Sequence, residues 1–262
     1  MLSRGGKVAV GFDDRGSGRA LVLLHPFPSD RGIWNGLAEA LAPRCRVLTV
    51  DARGFGESPA QGSFAIADLA DDVAALLAER GIDKATLLGM SMGGYAALAF
   101  AQRHPARLEA LILADTRAAA DSDAGRAGRD TAIAQIRGEG PVAYLAASLP
   151  RLLSPQATPA LVTFLRARAE TRAASLIAGL EALRGRPDRS QELGAIRCPT
   201  LVLCGDAEQV IPSAEMKAMA DAIPGARFTA LAGAGHLSHL EAPGPFERAV
   251  SSFLAHPEGV AR

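Results

Sequence analysis

The chain has 262 residues, with 28 Lys plus Arg balanced by 28 Asp plus Glu. That length buries roughly 70–75 % of the surface its unfolded form exposes, enough for one large core or a core plus a small cap. Zero formal net charge leaves no basic excess for a phosphate backbone, which excludes nucleic acid as an expected partner.

Short β-like runs recur along the chain at residues 8–12, 20–24, 46–50, 85–88, 110–114, 200–204 and 227–231. Several are apolar throughout rather than alternating, as expected for strands covered on both faces. Helical segments stand between them. In one, Ile66, Leu69, Val73, Leu76 and Leu77 make an apolar stripe, with Asp68, Asp71 and Asp72 expected on the opposite side or in the first turn. The pattern predicts an α/β fold with a doubly wound, mostly parallel sheet. From about Arg117 to Gln191 the strand signal gives way to Ala- and Arg-rich helical composition, broken at Gly138, Gly140, Pro141, Pro150, Pro155, Pro159 and Pro187. The expected organisation is a core of residues 1–116 and 192–262, with a helical cap, 117–191, inserted in it. The cap arginines, Arg126, Arg129, Arg137, Arg151, Arg166, Arg168 and Arg172 with Arg117, fit either a carboxylate substrate or an ordinary solvated surface, and the solvated surface is the default.

Three cysteines, Cys45, Cys198 and Cys204, are an odd count, and two sit in apolar strand-like surroundings. Reduced thiols in a cytoplasmic setting are expected. Residues 1–7 have no apolar stretch to serve as a signal sequence, and no segment approaches the roughly eighteen apolar residues of a membrane span, so a soluble protein is expected.

Gly89-Met90-Ser91-Met92-Gly93 lies between a strand-like run and a helix-like run that begins at Gly94. This arrangement forces a serine onto a tight strand-to-helix turn, with glycines where a side chain would strike the neighbouring strand or helix. The helix start behind Ser91 aims unpaired N–H groups at any oxyanion formed there. A serine hydroxyl is a weak nucleophile at neutral pH and needs an imidazole, oriented by a carboxylate, to take its proton. Among five histidines, His236 follows Gly233-Ala234-Gly235 on a loop after the last strand-like run and is the expected base; His239 is expected to pack or cap a helix. His25 is expected to hydrogen-bond nearby backbone, His104 to end a helix, and His256 to be solvated. For the acid, Glu208 lies far enough into the loop after residue 204 to turn back toward His236. Asp206, still leaving the strand, and Asp115, after the neighbouring strand, are the alternatives. For the oxyanion, Met92 offers one N–H; in His25-Pro26-Phe27-Pro28 both prolines lack one, which leaves Phe27. Met90, Met92 and Phe27 are expected to line the acyl pocket, and Arg117 to serve a substrate carboxylate.

Together these segments resemble the α/β-hydrolase fold superfamily, specifically its small cofactor-free esterases, enol-lactonases and perhydrolase-like members. The resemblance rests on residues 25–28, Asp51-Ala52-Arg53-Gly54-Phe55-Gly56-Glu57-Ser58, Gly89 to Gly94, the acid loop ending at Pro212, and Gly235-His236-Leu237-Ser238-His239-Leu240-Glu241-Ala242-Pro243. It implies Ser91 as nucleophile, His236 as base, Glu208 at the acid position, the amides of Phe27 and Met92 as oxyanion donors, and a structural loop pinned by Asp51 and Arg53. Two residues depart from the pattern: Pro26 replaces the usual glycine, and Glu208 the usual aspartate. The implied activity is hydrolysis of a small carboxylic ester, thioester or lactone with no metal or organic cofactor. An enol-lactonase is the nearest alternative, and a non-catalytic small-molecule receptor on the same scaffold is the alternative of a different class. Oligomeric state is not legible.

Overall fold

A computed structural model describes residues 9–59 and 62–256. In chain order, β1 (Phe12–Arg15) and β2 (Ala20–Leu24) precede helix α1 (Asn35–Leu41). Next come β3 (Arg46–Val50), α2 (Ile66–Glu79), β4 (Ala85–Met90), α3 (Met92–Arg103) and β5 (Leu108–Ala114). Four helices follow without a strand: α4 (Asp123–Glu139), α5 (Pro141–Ser148), α6 (Pro159–Arg168) and α7 (Ala173–Arg184). The chain then returns through β6 (Thr200–Gly205), α8 (Ser213–Ala222), β7 (Arg227–Leu231), the short α9 (Ser238–Glu241) and α10 (Pro243–Ala255).

The strands form one sheet in the order β1-β3-β2-β4-β5-β6-β7, parallel except for β1, which runs against β3. The chain moves outward from β2 to β3, then crosses back over β2 to β4 and continues the other way. Because parallel crossovers are right-handed, that reversal places α1 and α2 on opposite faces. Accordingly α2 packs on α3, and α1 on α10. Every residue of β2, β4 and β6 is buried, in line with their unbroken apolar runs. At the reversal the carboxyl ends of β2 and β4 stand side by side, leaving a crevice where open α/β sheets bind ligands.

Three expectations need correction. The first strand is Phe12–Arg15 rather than 8–12, and Val8 lies outside the described residues. An edge strand is placed by its partner more than by apolar content: Asp14 takes both ends of the Arg46 guanidinium on β3, at 2.9 and 2.7 Å, and Arg80 at 2.9 Å. Asp72, expected opposite the apolar stripe or in the first turn, is instead buried and pairs with Arg53 at 2.8 and 2.7 Å. That pair fastens α2 to the loop after β3, which Asp51 closes by accepting the N–H groups of Arg31 and Glu57 at 2.7 and 2.9 Å. Gly138 does not break the helical region: α4 runs through it and stops at Gly140, whose φ of 86° suits glycine. Among the described residues no helix is long and apolar enough to cross a membrane, and Cys45, Cys198 and Cys204 are free.

Candidate active site

β4 ends at Met90 and α3 begins at Met92, so the strand-to-helix turn is made by Ser91 alone, at φ 50° and ψ −113°. A non-glycine residue there is strained by roughly 1–3 kcal/mol and persists only where its surroundings over-determine it. Here they do. The Ser91 N–H donates to Ala114 O at 3.0 Å, and its carbonyl accepts from Thr116 Oγ1 at 2.9 Å and the Tyr95 N–H at 3.1 Å. Glycine is needed on both sides: a Cβ on Gly89 would fall on the Gly93 carbonyl, and one on Gly93 on the Leu24 carbonyl of β2.

His236, on the loop after β7, brings Nε2 to 2.9 Å from Ser91 Oγ and Nδ1 to 2.5 Å from Glu208 Oε2. The His236 and Glu208 side chains are 2 % and 0 % exposed. The second Glu208 oxygen accepts the Val210 N–H at 2.5 Å. This geometry lets Nδ1–H donate to the Glu208 carboxyl while Nε2 accepts from the Ser91 hydroxyl. The other two acids are engaged elsewhere. Asp206 accepts the Gly233 N–H at 2.6 Å, while Asp115, fully buried at φ 44°, accepts the Gly205 N–H at 2.8 Å and the Ser238 hydroxyl at 2.5 Å.

The amides of Phe27 and Met92 donate to no other group among the described residues. The turn that presents Phe27 is closed by the Ser29 N–H on Pro26 O at 3.0 Å. His25 secures it from below, its Nδ1–H on Pro26 O at 3.0 Å and its Nε2 accepting the Ala52 N–H at 2.9 Å. Burial holds the His25 ring below the usual imidazole range, which suits this neutral form. His239 is packed between Trp34 and Phe246, at ring-centroid distances of 4.3 and 5.9 Å, away from the serine. His104 sits past the end of α3 and meets Asp71 at 2.8 Å, and His256 is exposed.

A cavity of about 180 Å³ opens over Ser91 and His236. Phe27 lines it, whereas Met90 and Met92 do not, and their expected place in the acyl pocket is corrected. Both are wholly buried: Met90 still belongs to the strand, and Met92 borders a separate void of about 20 Å³ with Leu24 and His25. The single-residue turn sends only the Ser91 side chain upward, which leaves Met92 its amide. Arg117 does line the cavity, braced by Asp121 at 2.9 Å and Glu215 at 3.5 Å. Sequence reasoning missed Tyr95 and Tyr144 in the lining. Tyr95 was findable, because position i+4 on the helix lies beside Ser91's end of it; Tyr144, on α5, carried no local signal.

The model of the alpha/beta hydrolase family matches residues 21–249. The chain belongs to that family. This hydrolase is 31 % identical to a pimeloyl-[acyl-carrier protein] methyl ester esterase of Aeromonas hydrophila subsp. hydrophila, over 94 % of its own length and all of the relative's. A thermophilic esterase from Thermogutta terrifontis, solved with malate bound, superposes on it with a TM-score of 0.92 and 35 % identity, covering 96 % of this chain and 95 % of that one. An enol-lactonase from Burkholderia xenovorans LB400 superposes with a TM-score of 0.90 and 29 % identity, covering 98 % and 100 %. These three relatives are named as two esterases and an enol-lactonase, in line with the coarse hydrolase class expected from the sequence.

Proposed function

We propose that the chain is a serine hydrolase that cleaves a small carboxylic ester, thioester or lactone through an acyl-enzyme on Ser91. The observation that carries this reading is the pair of contacts at His236, 2.9 Å to Ser91 and 2.5 Å to Glu208, with the imidazole and the Glu208 carboxyl both buried. Burial strengthens each of these polar contacts, and the ring needs no rearrangement to accept a proton.

Ser91 Oγ bonds to the substrate carbonyl carbon as its proton passes to His236 Nε2, and Glu208 stabilises the imidazolium that forms. The amides of Phe27 and Met92 hold the oxyanion. Collapse breaks the bond to the leaving group, an alkoxide or thiolate that takes the proton from Nε2. Water then enters, gives its proton to Nε2, attacks the acyl carbon and releases the acid, with Ser91 recovering its proton. Helices α4–α7, residues 117–191, serve as the cap that walls the acyl chain from water. In a lactone the alcohol stays tethered to the acid, and the steps are the same.

A series of p-nitrophenyl esters with short acyl chains, extended to thioesters and lactones, tests this. Steady turnover is expected, and Ser91→Ala lowers kcat by on the order of 10⁴-fold or more. A receptor on the same scaffold gives no turnover or a single burst, and that outcome overturns the reading.

A further inference from the structure

The lining of the cavity over Ser91 carries more guanidinium groups than nearby carboxylates neutralise. Asp121, whose side chain is 1 % exposed, is met by Arg117 at 2.9 Å, Arg129 at 3.2 Å and Arg186 at 2.8 Å. Arg117 also reaches Glu215 at 3.5 Å. Arg151, exposed after α5, pairs with no carboxylate among the described residues. These four guanidinium groups therefore face two carboxylates. Burial works to raise the Asp121 carboxyl, and its arginines outweigh that, leaving it below the usual range. A solubilising surface does not need this, since three arginines gathered on one buried acid lose hydration that exposed ones keep.

Arg117, Arg129 and Arg151 all line the cavity that holds Ser91 and His236, beside Tyr144 and Ser148. Arg117 Nε is buried there with no hydrogen-bond partner among the described residues. Arg186 lies over the Tyr95 ring, 4.2 Å from its centroid, and adds its charge from behind the wall. Glu208 meets the imidazole at Nδ1, whereas guanidinium groups line the cavity over Ser91. Arginine's planar fork matches a carboxylate through paired hydrogen bonds, and a half-enclosed site screens that attraction poorly.

We propose that the substrate's acyl chain ends in a free carboxylate, received by Arg129 and Arg151, so that the hydrolase acts on hemiesters or lactones of short dicarboxylic acids. The proposal rests on the serine hydrolase reading and adds the substrate class. A carboxylate on the acyl side keeps its contact through acylation and deacylation alike. Size limits the chain: an engineered cavity of roughly 150 Å³ holds benzene, so the cavity of about 180 Å³ suits acids of about four to six carbons.

The test compares kcat/KM for monomethyl succinate, glutarate and adipate with the matching dimethyl esters. A preference of at least about tenfold for the hemiester is expected, falling as salt is raised. Arg151→Gln and Arg129→Gln should each cut that preference several-fold, chiefly through KM, with Arg151→Lys restoring part of it. Thermal unfolding checks that Arg129→Gln, which also loses an Asp121 contact, remains folded; Arg151 is exposed and its variant tests the subsite without that complication. A preference for the diester, or one unchanged in Arg151→Gln, overturns the proposal. The two readings fail separately. Dimethyl ester turnover lost in Ser91→Ala bears on the nucleophile alone, whereas calorimetric binding of succinate to Ser91→Ala, weakened in the double variant with Arg151→Gln, bears on the anion subsite alone.

Discussion

Two residues past His236, the Ser238 hydroxyl donates to the Asp115 carboxyl across 2.5 Å. Asp115 also accepts the Gly205 N–H at 2.8 Å, so one buried acid ties the end of β5 to the end of β6 and the start of α9. The loops carrying Glu208 and His236 leave from those last two points. Ser238→Ala removes the tether without deleting any group at Ser91, and frees the His236 loop to shift. Displacement of a reacting group by about 1 Å costs on the order of 10²-fold in rate, and a partial loss of about tenfold in kcat, with KM changed less than threefold, is expected. Steady-state kinetics on a short p-nitrophenyl ester measures it; an unaltered kcat means that the loop is held without Ser238.

The same acid makes stability depend on pH. Burial pushes the Asp115 carboxyl up from 3.8 to about 7, so between those values the native state binds a proton that the unfolded state has released. Its contribution is fully present below about pH 3.8 and is lost as pH rises through about 7, at about 1.4 kcal/mol per pH unit at most. In Asp115→Asn the fall in unfolding free energy between pH 5 and pH 8, measured in urea, should be smaller than in the parent. An equal fall assigns the pH dependence to other groups.

Glu208 is the acid that meets the imidazole, whereas Asp206 serves the Gly233 amide. Glu208→Gln keeps the shape but favours the wrong ring tautomer, and kcat is expected to drop on the order of 10³–10⁴-fold. Asp206→Asn should cost less than tenfold. Nearly full activity in Glu208→Gln beside collapse in Asp206→Asn reverses the assignment.

His239 acts in the opposite pH range. Burial between Trp34 and Phe246 lowers its ring from 6.5 to about 3, so the unfolded chain binds a proton first as pH falls. Stability is present above about 6.5 and lost as pH falls toward about 3. His239→Phe, of similar shape and without a charge to bury, should move the acid unfolding midpoint to lower pH by circular dichroism. A midpoint at or above the parent's shows that the ring nitrogens stabilise the fold.

Gly93→Ala sets a methyl group against the Leu24 carbonyl at the end of β2. Overpacking of this kind costs about 1–3 kcal/mol, and it pushes the loop carrying the Phe27 amide away from Ser91. Both a lower Tm and at least a tenfold lower kcat are expected. An alanine variant with parental kcat shows that the two amides need not stand so close.

Much of this site was legible in residues 89–94 and 235–243, because a nucleophile turn and a histidine loop are local devices: glycine spacing and strand-to-helix succession are encoded within a few neighbours. The seven strand-like runs were legible for the same reason, except β1, where Asp14 and its arginines rather than apolar content set the position. Asp72 was misplaced because helical periodicity marks a face without telling which distant cation, here Arg53, will meet it. Met90 and Met92 were misassigned because proximity in sequence to Ser91 does not say which way a side chain leaves a one-residue turn.

By itself the sequence determined which chemical groups were available and which short segments would present them: a strained serine, an imidazole on a glycine-rich loop, amides framed by prolines. Which of three acids meets the imidazole, and which of many arginines line the cavity over Ser91, was decided only by tertiary structure. Those choices depend on how β5, β6 and the four inserted helices close over one sheet edge, and distances between groups up to 145 residues apart follow from packing, not from any local pattern.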